Sequence, residues 1–112
     1  MREVSFQMHN GEAVKIFYAE DGRSACPVCG FLCAGEPPWT VDGGSFDICP
    51  SCHTEYGVDD GMASTSPVGS FAKRWEDLRI EWLNRNGWTD IAFRQLTNVG
   101  LDLEEVKKRR PR

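Results

Sequence analysis

The chain has 112 residues, 13 Lys and Arg against 17 Asp and Glu for a net charge of −4, and five cysteines. A single domain of this size buries only a modest core, so a metal staple would supply much of its folding free energy. No stretch approaches the roughly 18 apolar residues of a membrane span, and residues 1–8 lack the apolar run of a secretory signal; the expectation is a reducing cytosol, where clustered cysteines are ligands rather than disulfides.

The opening predicts a β-hairpin over residues 1–23. Val4, Phe6 and Met8 alternate with polar partners, Asn10-Gly11 is a two-residue turn signal, and Val14, Ile16 and Tyr18 resume the alternation, with Ala13 and Phe17 blurring it. Asp21-Gly22 then turns the chain towards the cysteines. Residues 24–66 are rich in Gly, Pro, Ser and Asp without helical period, and would have no reason to fold but for two CxxC pairs. Within them, Glu36-Pro37-Pro38-Trp39 and Asp42-Gly43-Gly44 read as a loop and residues 45–48 as a short strand leading to the second pair. Over 70–86, Phe71, Trp75, Leu78 and Trp82 recur at four, three and four residues and Leu83 widens the stripe, while Ile80 lies off it. Ser70 is the expected N-cap and Asn86-Gly87 the stop. Residues 89–112 form an extension. Thr89 caps a short helix through Ile91, Phe93 and Leu96, Gly100 ends it, and Asp102 caps a last turn before a basic tail. The predicted class is a small α+β domain: a zinc ribbon, with two CxxC knuckles on short antiparallel strands, an N-terminal hairpin and a C-terminal helix packed on it.

The pairs are Cys26-Pro27-Val28-Cys29-Gly30 and Cys49-Pro50-Ser51-Cys52-His53. Two cysteines separated by two residues wrap a tight turn that points both sulfurs at one ion, and zinc takes four such ligands in a tetrahedron. Proline fixes φ inside each turn and Gly30 accepts the positive φ that follows. Cys26, Cys29, Cys49 and Cys52 are therefore the expected ligands of one structural Zn²⁺. Redox-active CxxC motifs would need a helix starting at the first cysteine, which the Pro- and Gly-rich surroundings do not supply. Iron suits the same thiolates. Cys33 completes a C-x₂-C-x₃-C run that could feed an iron–sulfur cluster, but it reads better as a free buried thiol. His53 reads as a non-ligand beside Cys52. Asp59-Asp60-Gly61 lacks the alternating acids of a calcium loop and reads as a solvated turn. His9 and His53 stand near no obvious nucleophile, and four cysteines close the metal's shell, so no enzyme is expected.

Residues 1–106 carry 17 acidic and 8 basic side chains; Lys107, Lys108, Arg109, Arg110 and Arg112 supply the rest, and no Lys or Arg lies between Ser24 and Ala72. A tetrathiolate zinc would add two further negative charges to that stretch, which would repel phosphate backbones and disfavours the nucleic-acid binding of many ribbons. The expected role is binding another protein, with Pro37, Pro38 and Trp39 as an exposed aromatic anchor. The alternatives are a rubredoxin-like iron protein for electron transfer and nucleic-acid binding through the basic tail.

Cys26-Pro27-Val28-Cys29-Gly30-Phe31, Glu36-Pro37-Pro38-Trp39, Phe46-Asp47-Ile48-Cys49-Pro50-Ser51-Cys52 and Glu55-Tyr56-Gly57-Val58-Asp59-Asp60, followed by the helix with Trp75, Leu78 and Trp82, resemble the small bacterial cysteine-rich proteins of the CPCC type over about residues 25–88. The resemblance implies a zinc ribbon with an attached helix and no established activity. His53 stands where Gly or Phe is more usual, Cys33 is additional, and the hairpin and basic tail lie outside the pattern.

Overall fold

The computed structural model describes residues 1–61 and 69–111. Strands β1 (Arg2–Gln7) and β2 (Ala13–Tyr18) form the expected antiparallel hairpin, with Gln7 opposite Ala13 and Arg2 opposite Tyr18. Asn10-Gly11 lies inside a longer loop over 8–12: Met8 N–H donates to Glu12 O, Gly11 N–H donates to Met8 O, and Gly11 takes φ 86°. Met8 is thus a buried loop residue rather than part of the strand. Ala13 and Lys15 on the outer face of β2 are exposed, and only Phe17 at its far end is half-buried, which is where the alternation blurs. Val14 and Ile16 face the core, while Phe17 lies against Gly100, where any Cβ would come within 2.8 Å of its ring.

The hairpin does not stand apart from the cysteines. A turn closed by Ala19 N–H to Arg23 O leads into β3 (Ser24–Ala25), which pairs with β2 through Tyr18 and Ser24 and with β4 (Leu32–Cys33) through Ser24–Cys33 and Ala25–Leu32. The result is one sheet in the order β1-β2-β3-β4, with the first CxxC turn joining its last two strands. A second small sheet pairs β5 (Trp39–Thr40) with β6 (Gly43–Gly44), where a loop was expected. Over the expected strand 45–48 the chain forms only one β-bridge among the described residues, Ile48 to Glu55, with Phe46 N–H donating to Tyr56 O and Tyr56 N–H to Asp47 O beside it. Close approach explains the difference. A Cβ on Gly44 would lie 2.7 Å from Gly57 N, and Phe46 then reverses the chain at φ 65°, so the run cannot stay extended.

Helix α1 (Phe71–Arg85) has Ser70 as N-cap, its hydroxyl accepting from Lys73 N–H, and stops at Asn86 before Gly87 at φ 68°. Its buried face carries Phe71, Trp75, Trp82 and Leu83, as the spacing predicts, while Leu78 is only half-buried. Arg79 is buried among them, a position the pattern does not single out. Thr89 and Asp102 cap α2 (Asp90–Leu96) and α3 (Leu103–Lys107), with a 3₁₀ turn (Thr97–Val99) and Gly100 at φ 70° between them. The inward face of α2 is Ala92, Phe93 and Leu96; Ile91 is 77% exposed. Residues 62–66 of the expected ribbon and Arg112 of the tail lie outside the described residues.

Two expectations are overturned in the core. Trp39 is only 3% exposed and Pro38 is buried, so this tryptophan is not a displayed anchor. Its ring meets Phe71 edge-on at 5.2 Å beneath α1. Nor is Asp60 part of a solvated turn: it is fully buried. Its Oδ2 accepts from the indole N–H groups of Trp39 (2.7 Å) and Trp75 (2.8 Å), and its Oδ1 accepts from Gly57 N–H (2.7 Å). Two buried indoles need an acceptor, and Asp60 is the one within reach.

Candidate metal centre

The two cysteine turns are built alike. In the first, Cys26 N–H donates to Phe31 O and Gly30 N–H to Cys26 O; in the second, Cys49 N–H donates to Thr54 O and His53 N–H to Cys49 O. Both turns therefore close with the same pair of hydrogen bonds, and the residue after each second cysteine takes a left-handed conformation, Gly30 at φ 83° and His53 at φ 64°. His53 occupies the glycine position of its turn, and its exposed side chain takes no part in the cysteine cluster.

Cys26, Cys29, Cys49 and Cys52 are all buried, and their four sulfurs lie within 4.8 Å of one another. The Cys26–Cys52 and Cys29–Cys49 pairs stand 3.7 Å apart. That is well beyond a disulfide bond of about 2.05 Å. It matches the edge of a tetrahedron, about 3.8 Å, when each sulfur lies about 2.3 Å from a central ion. The four residues can hold a metal ion and fill its coordination shell. Burial pushes the Cys26 thiol well up, while hydrogen bonds from Cys26 and Cys29 push Cys49 down. The four groups therefore do not ionise together unaided, and a bound cation would have to replace the protons.

Cys33 is half-buried outside this cluster, with its sulfur 3.8 Å from the Tyr56 hydroxyl and 3.6 Å from Phe31 O. Burial pushes its thiol up, as suits a protonated packing residue.

The sequence reading missed what holds the first turn in place. Its consecutive carbonyls are each taken by a side chain from the C-terminal helices. Arg79 donates from Nη2 to Pro27 O and from Nε to Val28 O, both at 2.7 Å. Gln95 Nε2 donates to Cys29 O (3.2 Å) and Asn98 Nδ2 to Gly30 O (3.0 Å). Gln95 also donates to Ser51 Oγ at 3.0 Å, tying the two turns together, and Arg85 reaches Cys52 O at 3.0 Å. Arg79 places a cation beside the cysteine cluster; burial holds its guanidinium below the ordinary range, against the pull of Glu76 and the cysteines. The readable signal was an arginine on the same face of α1 as Trp75 and Trp82, one turn from each.

Among the described residues, no helix is long and apolar enough to cross a membrane. No protein-family model matches the chain, and no curated protein or solved structure is significantly similar to it.

Proposed function

We propose that this chain is a small zinc-stabilised protein-binding module of a reducing compartment and not an enzyme. The observation that carries the proposal is the set of four buried sulfurs within 4.8 Å of one another, two of their separations at the 3.7 Å of a tetrahedral edge. Bound there, zinc would have no open position for water or substrate, and its contribution would be to folding. The paired cysteine turns, each on short antiparallel pairing, support a zinc-ribbon reading, and the likeness to CPCC-type proteins belongs to the same proposal.

Iron would accept the same sulfur geometry. Metal analysis and an absorbance spectrum of protein purified from its native source discriminate: one zinc per chain and no visible colour are expected, and iron with sulfur-to-metal bands would replace the proposal with electron transfer. Co-purification from the same cells tests the binding role. A stoichiometric protein partner is expected, and its absence counts against the module reading.

Nucleic-acid binding through the tail has less support. Lys107 lies beside Glu104 and over the Phe93 ring, Lys108 beside Glu105, and Arg109 beside Glu76, so much of that charge is locally offset.

A further inference from the structure

The surface beside the second cysteine turn has a shape and a charge that together specify a partner. Strand β4 is an edge of the four-stranded sheet, and its outer side pairs with no strand among the described residues. Facing it, the segment entering the second turn exposes Ile48 to 61%. Between them runs a groove of about 540 Å³ whose lining includes Phe31, Leu32, Ile48 and Pro50, with buried Tyr56 beneath. Phe46, two residues before Ile48, is held 64% exposed at φ 65°, a strained conformation for an aromatic residue.

The rim is acidic. Glu36 and Asp47 line the groove; both are exposed, and among the described residues no cation pairs with either. The one basic residue at the groove, Arg23, is already paired with Asp21 at 2.8 Å. An open strand edge beside an apolar trough, with unpaired carboxylates around it, suits an extended peptide that adds its backbone to the edge and sets an apolar side chain between flanking cations.

We infer that the β4–Ile48 groove binds an extended segment of another protein in which an apolar residue is flanked by Lys or Arg. This rests on the binding-module reading above and gives its partner a chemistry.

The test is selection of random peptides of about ten residues from a display library against the metal-loaded full-length protein, followed by titration of the winners. Enrichment of apolar residues next to Lys or Arg is expected. Ile48→Asp should weaken those peptides about tenfold or more, as loss of a central anchor does, with metal content and circular dichroism unchanged. Glu36→Lys combined with Asp47→Lys should weaken them too and flatten their salt dependence. Amide resonances of Leu32, Cys33, Ile48 and Tyr56 should move on binding. Enriched peptides that are acidic, or that bind the Ile48→Asp protein equally well, would overturn the groove while leaving the module reading intact. If neither the library nor native co-purification yields a binder, both readings fall.

Discussion

At the residue scale, two buried charged side chains organise this molecule. Asp60 accepts three hydrogen bonds with no exposure to water, joining β5, α1 and the Gly57 turn. Asp60→Ala leaves three buried donors unpaired and should cost about 3–5 kcal/mol of unfolding free energy in urea titration. Asp60→Asn keeps one accepting oxygen but turns an amide N–H₂ towards another donor, and should cost about 2 kcal/mol; a neutral result for either would dismiss the carboxylate as the organiser. Arg79 holds two consecutive carbonyls of the first cysteine turn. Arg79→Met should lower metal affinity about 10- to 100-fold in competition with a chromogenic chelator, and Arg79→Lys should recover only part, because an ammonium lacks the planar fork that meets both oxygens. Asp60 gave no sign of its role in the sequence, and Arg79 gave only its place on the Trp75–Trp82 face of α1. An Asp-Asp-Gly run reads as a solvated turn until the indoles around it are known.

At the scale of elements, the hairpin loop and α1 are joined by an anion at a helix N-terminus. Glu12 Oε1 accepts from Phe71 N–H (2.6 Å), and Oε2 from Ala72 N–H (3.0 Å) and the Ser70 hydroxyl (2.9 Å). Burial acts to raise the Glu12 carboxyl, yet these hydrogen bonds together hold it below 4.5. A group titrating lower in the folded than in the unfolded chain stabilises fully above the unfolded value and loses that contribution as pH falls through the folded one. Glu12→Gln should therefore cost about 1 kcal/mol near neutral pH, a figure discounted for partial exposure, with the deficit shrinking as acid protonates the Glu12 carboxylate in the folded chain; a deficit independent of pH would remove the charge from the explanation. The paired cysteine turns offer a second check. His53 holds φ 64° where its counterpart Gly30 holds φ 83°. His53→Gly should stabilise by up to about 1 kcal/mol, the steric gain partly offset by the larger backbone entropy of glycine. Caps and stops at Ser70, Gly87, Thr89, Gly100 and Asp102 were readable because each depends on a few adjacent residues. The strand expected over 45–48 was not, because Gly44 and Gly57 meet only in the folded chain.

At the scale of the whole molecule, the metal site and the helices depend on each other. The helices supply the groups that bind the carbonyls of the first cysteine turn, and the cysteine turns give α1 and α2 a surface to cover. Removing the metal with a strong chelator should therefore lower the thermal midpoint sharply and loosen α1 and α2 together, seen as loss of helical circular dichroism and of buried tryptophan fluorescence. Retention of both would detach the fold from the metal. Loading should also fail as pH falls, because protons compete for four sulfurs of which Cys26 is already pushed up by burial. The sequence by itself determined the cysteine spacing, the hairpin, the helix starts and stops and the acidic middle of the chain, all carried by neighbours within about one turn. Only the tertiary structure decided that Trp39 is buried, that Asp60 joins two indoles, that Arg79, Gln95 and Asn98 bind the first cysteine turn, and that a groove opens beside β4. Those outcomes depend on pairings across tens of residues, where burial favours partners that no local pattern names; Ser24 Oγ and Trp82 Nε1 are buried without one among the described residues.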